Sequence, residues 1–496
     1  MRRACLRSAQ EVCSELSELG FLRDCSALVT DHRALSGLCD VFLAVPGGRF
    51  DPRTLADDLI REQRCGLVLV EYDAQHVYHS VAVLPVLNLK GMLAELAARY
   101  YNTAACGLKV IAVTGTNGKT TVTRWIAQAF HALGTKAAVI GTLGYGLPDA
   151  LNSHSGLTTP DVVGVHRVLH ELSGQGCGVV CVEASSIGLD QGRLDGVPID
   201  TAVLTNLSQD HLDYHESMEA YGRAKLLLAA HRGLQRGVVN ADDPFSQRFQ
   251  EVLHRQGVVC TSVGKARSTS VVIDSIVSAV QGVCVHLRYG HQVLEINAPV
   301  VGDFNVDNLA LVFGVMVAHG FEARDVVAAL SAVTAAPGRM ERVADVPCVF
   351  VDYAHTPDAL ERVLCAVRPV AVQRCGRLIV VFGCGGDRDT TKRAVMGDIA
   401  ARLADVVVIT SDNPRSESPA QIVQDIRAGV GALVELHVEL DRAAAIEWAV
   451  GCAANADVVV LAGKGHEQTQ TIGAEVRAHS DAEVARRCVL ERRVHV

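Results

Sequence analysis

The apolar run Val110-Ile111-Ala112-Val113 leads straight into Thr114-Gly115-Thr116-Asn117-Gly118-Lys119-Thr120-Thr121, and no other segment restricts the fold so tightly. The apolar residues read as a buried strand, and the polar, glycine-bearing turn opens a helix that runs past Trp125 and Ile126. Gly115 and Gly118 allow backbone N–H groups to curl round an anion, Lys119 supplies a mobile cation, and Thr120 offers a hydroxyl to a phosphate-bound Mg2+. The positive end of the helix dipole points the same way. The usual loop has a glycine five residues before the second one, where Val113 stands here, so the pattern is a shortened Gly-x-x-Gly-Lys-Thr. A nucleoside triphosphate is the first ligand this strand–loop–helix unit suggests.

At 496 residues the chain exceeds what one hydrophobic core organises. Alternating apolar strands and helical stretches predict an α/β protein. The first boundary falls where the helical stretch from about Gly91 to Tyr101 meets the loop strand. The second falls near Ala336-Pro337-Gly338, after a helical stretch from Asp325 to Val333. Three domains result, 1–107, 108–336 and 337–496, with an antiparallel insert in the middle one from Val271-Val272-Ile273 through Val283 to Leu287. A formal charge of −9 and 4% aromatic residues give no global field for nucleic acid and few stacking platforms, so anionic small substrates need local cations. Sixteen cysteines without a Cys-x-x-Cys pair read as reduced thiols, Cys177 and Cys181 beside a buried strand. No apolar run approaches membrane-spanning length, and a polar stretch from Arg7 to Glu11 interrupts any signal core, so a soluble cytoplasmic protein without membrane partners is expected.

Apolar runs end repeatedly in polar clusters. Val179 to Val182 meets Glu183-Ala184-Ser185-Ser186, and Ala202 to Leu204 meets Thr205 through His211. Farther on, Leu378 to Phe382 meets Gly383 through Asp389, Val406 to Ile409 meets Ser411 through Arg415, and Val458 to Leu461 meets Gly463 through Glu467. Ligands of open parallel sheets bind beyond the carboxyl ends of the strands, so two arrays of functional groups on two sheets are expected to face one cleft. Glu183 reads as a second ligand for a metal held by Thr120, or as a capping carboxylate. The cluster Asp210-His211-x-Asp213-Tyr214-His215 fits a metal site or a polar loop, and spacing does not decide. Lys225, in the helical stretch Met218 to Ala230, has the surroundings of a lysine that reaches for solvent.

Taken in order, these segments resemble the Mur ligase family. The resemblance rests on Thr114 to Thr121, Thr158-Thr159-Pro160, Glu183 to Ser186, Thr205 to His215 and Asn240 to Asp243. It continues through Gly302 to Asn308, Pro337 to Glu341, Asp352 to Pro357 and Gly463 to Glu467. It implies an N-terminal uridine-binding α/β domain, a central ATPase domain of the phosphate-loop type and a Rossmann-like C-terminal domain. The implied reaction is ATP-dependent amide formation through an acyl phosphate, because a carboxylate is a poor electrophile until activated.

Carried over by position, Gly115, Thr116, Asn117, Gly118, Lys119, Thr120 and Thr121 bind ATP, joined by Asn305, Arg339 and the segment Asp352 to His355. Lys119, Lys225 and His211 are the implied catalytic residues. Thr120 and Glu183 hold one Mg2+, and His211 with Lys225, carbamylated by CO2, holds another. His32, Thr158, Thr159, Ser185, Gln191 and Arg193 bind a UDP-muramoyl dipeptide, with the uridine pocket around Asp31 to Arg33 and Val45 to Gly48. The sequence departs from the family at Ile187, where His is common, at Gln209, where Arg is usual, and at His32, where Ser is familiar.

The resemblance is greatest to the members that add the third residue of the peptide, a step in peptidoglycan precursor synthesis on which cell shape and division depend. Arg388, Asp412, Asn413, Pro414, Arg415, Gly463 and Glu467 match the amino-acid contacts. Meso-diaminopimelate carries a carboxylate beside its distal amine where lysine has none, and an arginine fork pairs with the first and repels the second. Arg415 therefore favours diaminopimelate, unless Glu417 occupies it as a salt-bridge partner. Addition of lysine or ornithine, a folylpolyglutamate synthetase relative and a non-catalytic ATP-binding regulator are the alternatives. A monomer acting on small molecules, its third domain rotating to assemble the site, completes the expectation.

Overall fold

The computed structural model describes residues 5–47, 50–152, 156–279, 281–431 and 434–494. The chain divides into two compact units, Met1–Ser262 and Val263–Val496. That division lies within the strand Val259–Gly264, inside the region 108–336 read above as one domain.

The first unit holds two sheets. Near the N-terminus, Leu28–Val29, Gly37–Ala44, Cys65–Glu71 and Val83–Val86 form a parallel four-stranded sheet. Its strands are apolar on both faces because each face has its own core. Val41, Leu43, Leu67 and Leu69 pack on helices Ala9–Glu18 and Leu89–Tyr100, while Phe42, Val68 and Val70 pack against Ala56 and Leu59.

The second sheet of this unit centres on Lys109–Thr114, with Val179–Glu183 parallel on one side and Ile199–Leu204 parallel on the other. Ala137–Gly141 lies beyond Val179–Glu183, and Arg236–Asn240 lies beyond Ile199–Leu204. The connections thus leave the central strand in opposite directions, which opens a crevice at its carboxyl end. In register, Val113 faces Glu183 on one neighbour and Val203 on the other, so Thr114, Glu183 and Thr205 emerge side by side.

In the second unit, Val271–Ala279, Gly282–Tyr289 and Gln292–Ala298 form an antiparallel meander, which contains the expected insert from Val271 to Leu287 and adds a third strand beyond it. The six-stranded sheet that follows runs Glu341–Asp345, Cys348–Asp352, Val458–Ala462, Leu378–Phe382, Val406–Ile409, Glu435–Val438, parallel except for the first pair. One face packs on helices Pro357–Gln373, Lys392–Leu403 and Pro419–Arg427, and the other on Arg442–Cys452 and Asp481–Val494. Among the described residues, no helix is long and apolar enough to cross a membrane.

Candidate active site

In the first unit, the helix Lys119–Ala132 starts directly after Gly118, whose φ of +87° places it in the region glycine tolerates best. Gly115 is needed for room: a Cβ there would lie 1.8 Å from the Thr205 hydroxyl. Thr205 in turn donates to the carbonyl of Asn117 at 2.6 Å, and the Asn206 side chain accepts from Asn117 N–H at 2.9 Å. The loop is thereby clamped onto the neighbouring strand end. Lys119 Nζ donates to the carbonyls of Gly115 and Thr116, both at 2.9 Å, and Thr121 is buried at the start of the helix.

Thr120 Oγ1 donates to Glu183 Oε2 at 2.9 Å, so these two residues from different elements meet as expected. Glu183 also accepts from the backbone N–H and the hydroxyl of Thr142, at 2.9 and 3.1 Å. Thr142 went unnoticed in the sequence, although it follows the apolar strand Ala137–Gly141 at its carboxyl end, where functional groups gather. A buried carboxylate beside a serine- or threonine-type hydroxyl is the oxygen donor set that suits Mg2+.

Lys225 does not reach solvent. It is 1% exposed, donates to the Gly115 carbonyl at 2.8 Å and lies 4.3 Å from the centre of the Tyr221 ring. Burial, with Lys119 as a second cause, holds its ammonium well below the ordinary lysine range. Tyr221, one helical turn earlier and also missed, bonds through its hydroxyl to Thr116 at 3.1 Å. His211 has φ +52°, stands 3.6 Å from Asp210, and burial pushes its pKa down, which favours the neutral imidazole a metal ligand must be.

Thr158, Thr159, Ser185, Gln191 and Arg193 form one connected group. Thr158 accepts from the Thr142 hydroxyl at 3.1 Å, and Thr159 meets Ser185 at 2.9 Å. Arg193 donates to the Thr159 carbonyl at 2.7 Å and to the Gln191 side-chain oxygen at 2.7 Å, and burial lowers its pKa. His32 sits in a short turn whose Asp31 is lowered to about 2, mainly by its hydrogen bonds from Arg33. Its ring lies 5.9 Å from that of Phe50, and Gly48 lies outside the described residues.

In the second unit, Asn305 is buried and donates to the Val301 carbonyl at 2.8 Å. The Arg339 guanidinium lies 4.4 Å from the centre of the Tyr353 ring, on the segment after Cys348–Asp352. Gly338 is required there, because a Cβ would come within 2.1 Å of the His466 nitrogen. Asp352 accepts from Met340 and Ala354 N–H groups at 2.7 and 2.8 Å, while burial raises its pKa.

The strand ends Phe382, Ile409 and Ala462 bring together Gly383 to Arg388, Asp412 to Arg415, and Gly463 to Glu467. Asn413 Nδ2 donates to Glu467 Oε2 at 2.9 Å. Lys464, fully buried, donates to Asn413 Oδ1 at 3.1 Å and to Glu467 Oε2 at 2.8 Å, a pairing that the run Gly463 to Glu467 hid in plain sight. A Cβ on Gly463 would lie 2.8 Å from Asp412 Oδ2, and Pro414 carries its carbonyl toward Gly386. Arg388 is exposed beside Gly385. Arg415 donates to the Gly386 carbonyl at 2.7 Å, and among the described residues Glu417 pairs with Arg393 instead, at 2.9 Å.

The description "Mur ligase middle domain" matches residues 113–316, and "Mur ligase, glutamate ligase domain" matches residues 338–465. The chain belongs to the Mur ligase family. Two of its relatives in the family carry the name UDP-N-acetylmuramoyl-L-alanyl-D-glutamate--2,6-diaminopimelate ligase. The one from Ectopseudomonas mendocina is 44% identical over 87% of this chain and 88% of its own, and the one from Coxiella burnetii is 40% identical over 93% and 95%. A solved structure of that name is 32% identical, with a TM-score of 0.66 over 94% of this chain and 95% of the other. The MurF ligase of Thermotoga maritima in complex with ADP, 18% identical with a TM-score of 0.67 over 95% and 97%, shares the fold of this Mur ligase.

Proposed function

We propose that this Mur ligase joins meso-diaminopimelate to the D-glutamate of UDP-N-acetylmuramoyl-L-alanyl-D-glutamate at the expense of ATP. The observation that carries the choice of amino acid is Arg415, whose neighbouring carboxylate Glu417 is occupied by Arg393, so that its fork is available to a substrate carboxylate. The relatives of that name, alike over most of their length, support the same reading.

In this reading the loop from Gly115 to Thr121 holds the triphosphate, and Lys119 leaves its two backbone carbonyls to follow the charge that develops on the γ-phosphoryl group. The dipeptide is held by Thr158, Thr159, Ser185, Gln191 and Arg193, with His32 at the uridine end. Its terminal carboxylate takes the γ-phosphoryl group, breaking the anhydride and releasing ADP. The neutral amine of the diamino acid then adds to the acyl phosphate, its nitrogen gives up one proton to water, and collapse of the tetrahedral adduct forms the amide and expels phosphate. Arg388, Asp412, Asn413, Gly463, Glu467 and Arg415 are assigned to the amino acid, and Arg339 and Asn305 to nucleotide contacts.

Mg2+ would be held by Thr120 and Glu183, with His211 and a carbamate on Lys225 for a second ion, and its chemistry is to offset repulsion between triphosphate and carboxylate. The division into 1–107, 108–336 and 337–496, a cytoplasmic location and a monomeric state belong to the same proposal. Purified protein given the UDP-muramoyl dipeptide, Mg-ATP and one diamino acid at a time tests it. Phosphate release and a tripeptide product with diaminopimelate are expected. Equal turnover with lysine or ornithine would overturn the amino-acid choice, and ATP binding with no release for any amine would overturn the ligase reading.

A further inference from the structure

Arg415 and Glu417 hold the two ends of a single peptide unit. The Arg415 guanidinium donates to the carbonyl of Gly386, and the Glu417 carboxylate accepts the N–H of Asp387, the other pole of the same amide. A trans amide directs its C=O and N–H to opposite sides, so this unit separates a cation from a carboxylate only two residues away in sequence. Little slack remains in the loops that make the arrangement: a Cβ on Gly386 would lie 1.9 Å from the Pro414 carbonyl, and Gly386 N–H donates to the Asn413 carbonyl at 2.9 Å. Arg415 itself has φ +52°, and its backbone bonds to Thr471 at 3.1 Å and Gly473 at 2.7 Å fix it against the hairpin Thr469–Ala478.

What keeps Glu417 on its side is Arg393. That side chain is 1% exposed, donates to both carboxylate oxygens of Glu417 at 3.0 and 2.9 Å, and reaches Asp425 at 2.9 Å. It comes from the helix Lys392–Leu403, and Asp425 comes from Pro419–Arg427, so the pairing is anchored on two regular elements.

We propose that Arg393 is a positioning residue for amino-acid selection: by sequestering Glu417 beyond the Gly386–Asp387 peptide, it keeps Arg415 from being neutralised internally and leaves it for the distal carboxylate of the incoming diamino acid. This deepens the proposed function and rests on it for the identity of the ligand. The pairing of Glu417 can be read without turnover.

The test uses Arg393→Gln, the double variant Arg393→Gln/Glu417→Gln, and Arg393→Lys, which keeps the charge on a shorter side chain without the guanidinium fork and serves if the first variant does not fold. A crystal structure of the single variant is expected to have the Glu417 carboxylate turned to the Arg415 guanidinium. Its KM for diaminopimelate should rise ~10-fold or more, with kcat and the KM for ATP within ~2-fold and the preference over lysine reduced. The double variant should recover the KM to within ~3-fold, because a neutral amide in place of the Glu417 carboxylate still accepts from Asp387 but no longer neutralises an arginine. A merely structural role predicts the opposite, two losses that add. Glu417 unmoved with KM unchanged, or a double variant as impaired as the single, would overturn the inference. Wild-type protein that releases no phosphate with diaminopimelate would sink the proposed function instead, and the crystallographic arm would still decide where Glu417 goes.

Discussion

Lys119 and Lys225 donate to the same acceptor, the carbonyl oxygen of Gly115, at 2.9 and 2.8 Å. Burial, and secondarily the charge of Lys119 on the same carbonyl, holds Lys225 well below the ordinary lysine range. A neutral amine is the form that reacts with CO2, so the carbamate proposed on Lys225 can be tested directly. Intact mass measured in bicarbonate-saturated buffer under non-acidic conditions should show a gain of one CO2, absent from Lys225→Met. The sign of the pH effect is fixed: the unfolded chain holds the Lys225 proton up to the ordinary lysine range while the folded chain has released it. Stability should therefore rise with pH across that window in wild type and rise less in Lys225→Met, as urea unfolding at several pH values will measure.

Lys119 bonds to two carbonyls of its own loop, at a position from which it can swing to a phosphate oxygen. Replacing Lys119 with Ala removes charge that matters most at the transition state. The expected loss in kcat is on the order of 10²–10³-fold. Thermal unfolding should be little changed, and turnover retained at the wild-type rate would contradict the assignment.

Glu183 is fixed by three donors, Thr120 Oγ1 and both the backbone and hydroxyl of Thr142. Gly141 packs so closely that a Cβ would meet Glu183 Oε1 at 2.0 Å. Gly141→Ala should displace the carboxylate without removing it, raising the Mg2+ concentration for half-maximal activity ~10–100-fold, as loss of an outer-shell support does. Glu183→Gln should lower activity further, and titration with Mg2+ at fixed ATP separates the two.

The phosphate loop and its helix were legible because glycines, an apolar strand and a helical run follow each other within a short stretch of chain, and the helix Lys119–Ala132 begins where Gly118 suggests. Two helix starts marked by neither a capping side chain nor a glycine at the cap were less legible. Leu89–Tyr100 begins before Gly91 and Ala323–Ser331 before Asp325, and neither Asn88 nor Glu322 makes a side-chain capping bond to mark them. From its alanine and leucine neighbours alone Lys225 read as a surface lysine, and the family resemblance was what marked it, because those neighbours do not reveal that Tyr221 and the Gly115 loop close over it. Residues that act through partners were the hardest: Arg393 and Glu417 are 24 positions apart, and Thr116 and Tyr221 are 105 apart. Such pairings depend on how strand ends align, which no local pattern encodes.

Arg415 should govern which diamino acid is used. Losing a buried arginine–carboxylate pairing costs about 2–5 kcal/mol, so Arg415→Ala should raise the KM for diaminopimelate at least ~30-fold. Lysine, which has no distal carboxylate, should be affected far less, and competition assays with both amino acids would measure the ratio. Arg415→Lys should behave more like the alanine variant than like wild type, because an ammonium lacks the fork.

His466 supplies a pH dependence of a different origin. Its ring lies 5.4 Å from that of Tyr353, and burial, with Arg339 as a lesser cause, pushes its pKa down to about 4 from 6.5. Between those values the unfolded chain binds a proton that the folded one refuses. The stability tied to the neutral ring is therefore complete above pH 6.5 and is lost as the pH falls toward about 4. The contribution is at most about 3 kcal/mol and is reduced by the solvent that still reaches the ring. Urea unfolding of wild type and His466→Gln at pH 7 and near pH 4.5 should give curves that converge in acid, with the variant less sensitive to acidification. Parallel pH profiles for the two proteins would mean that the ring takes up its proton as freely in the folded chain as in the unfolded one.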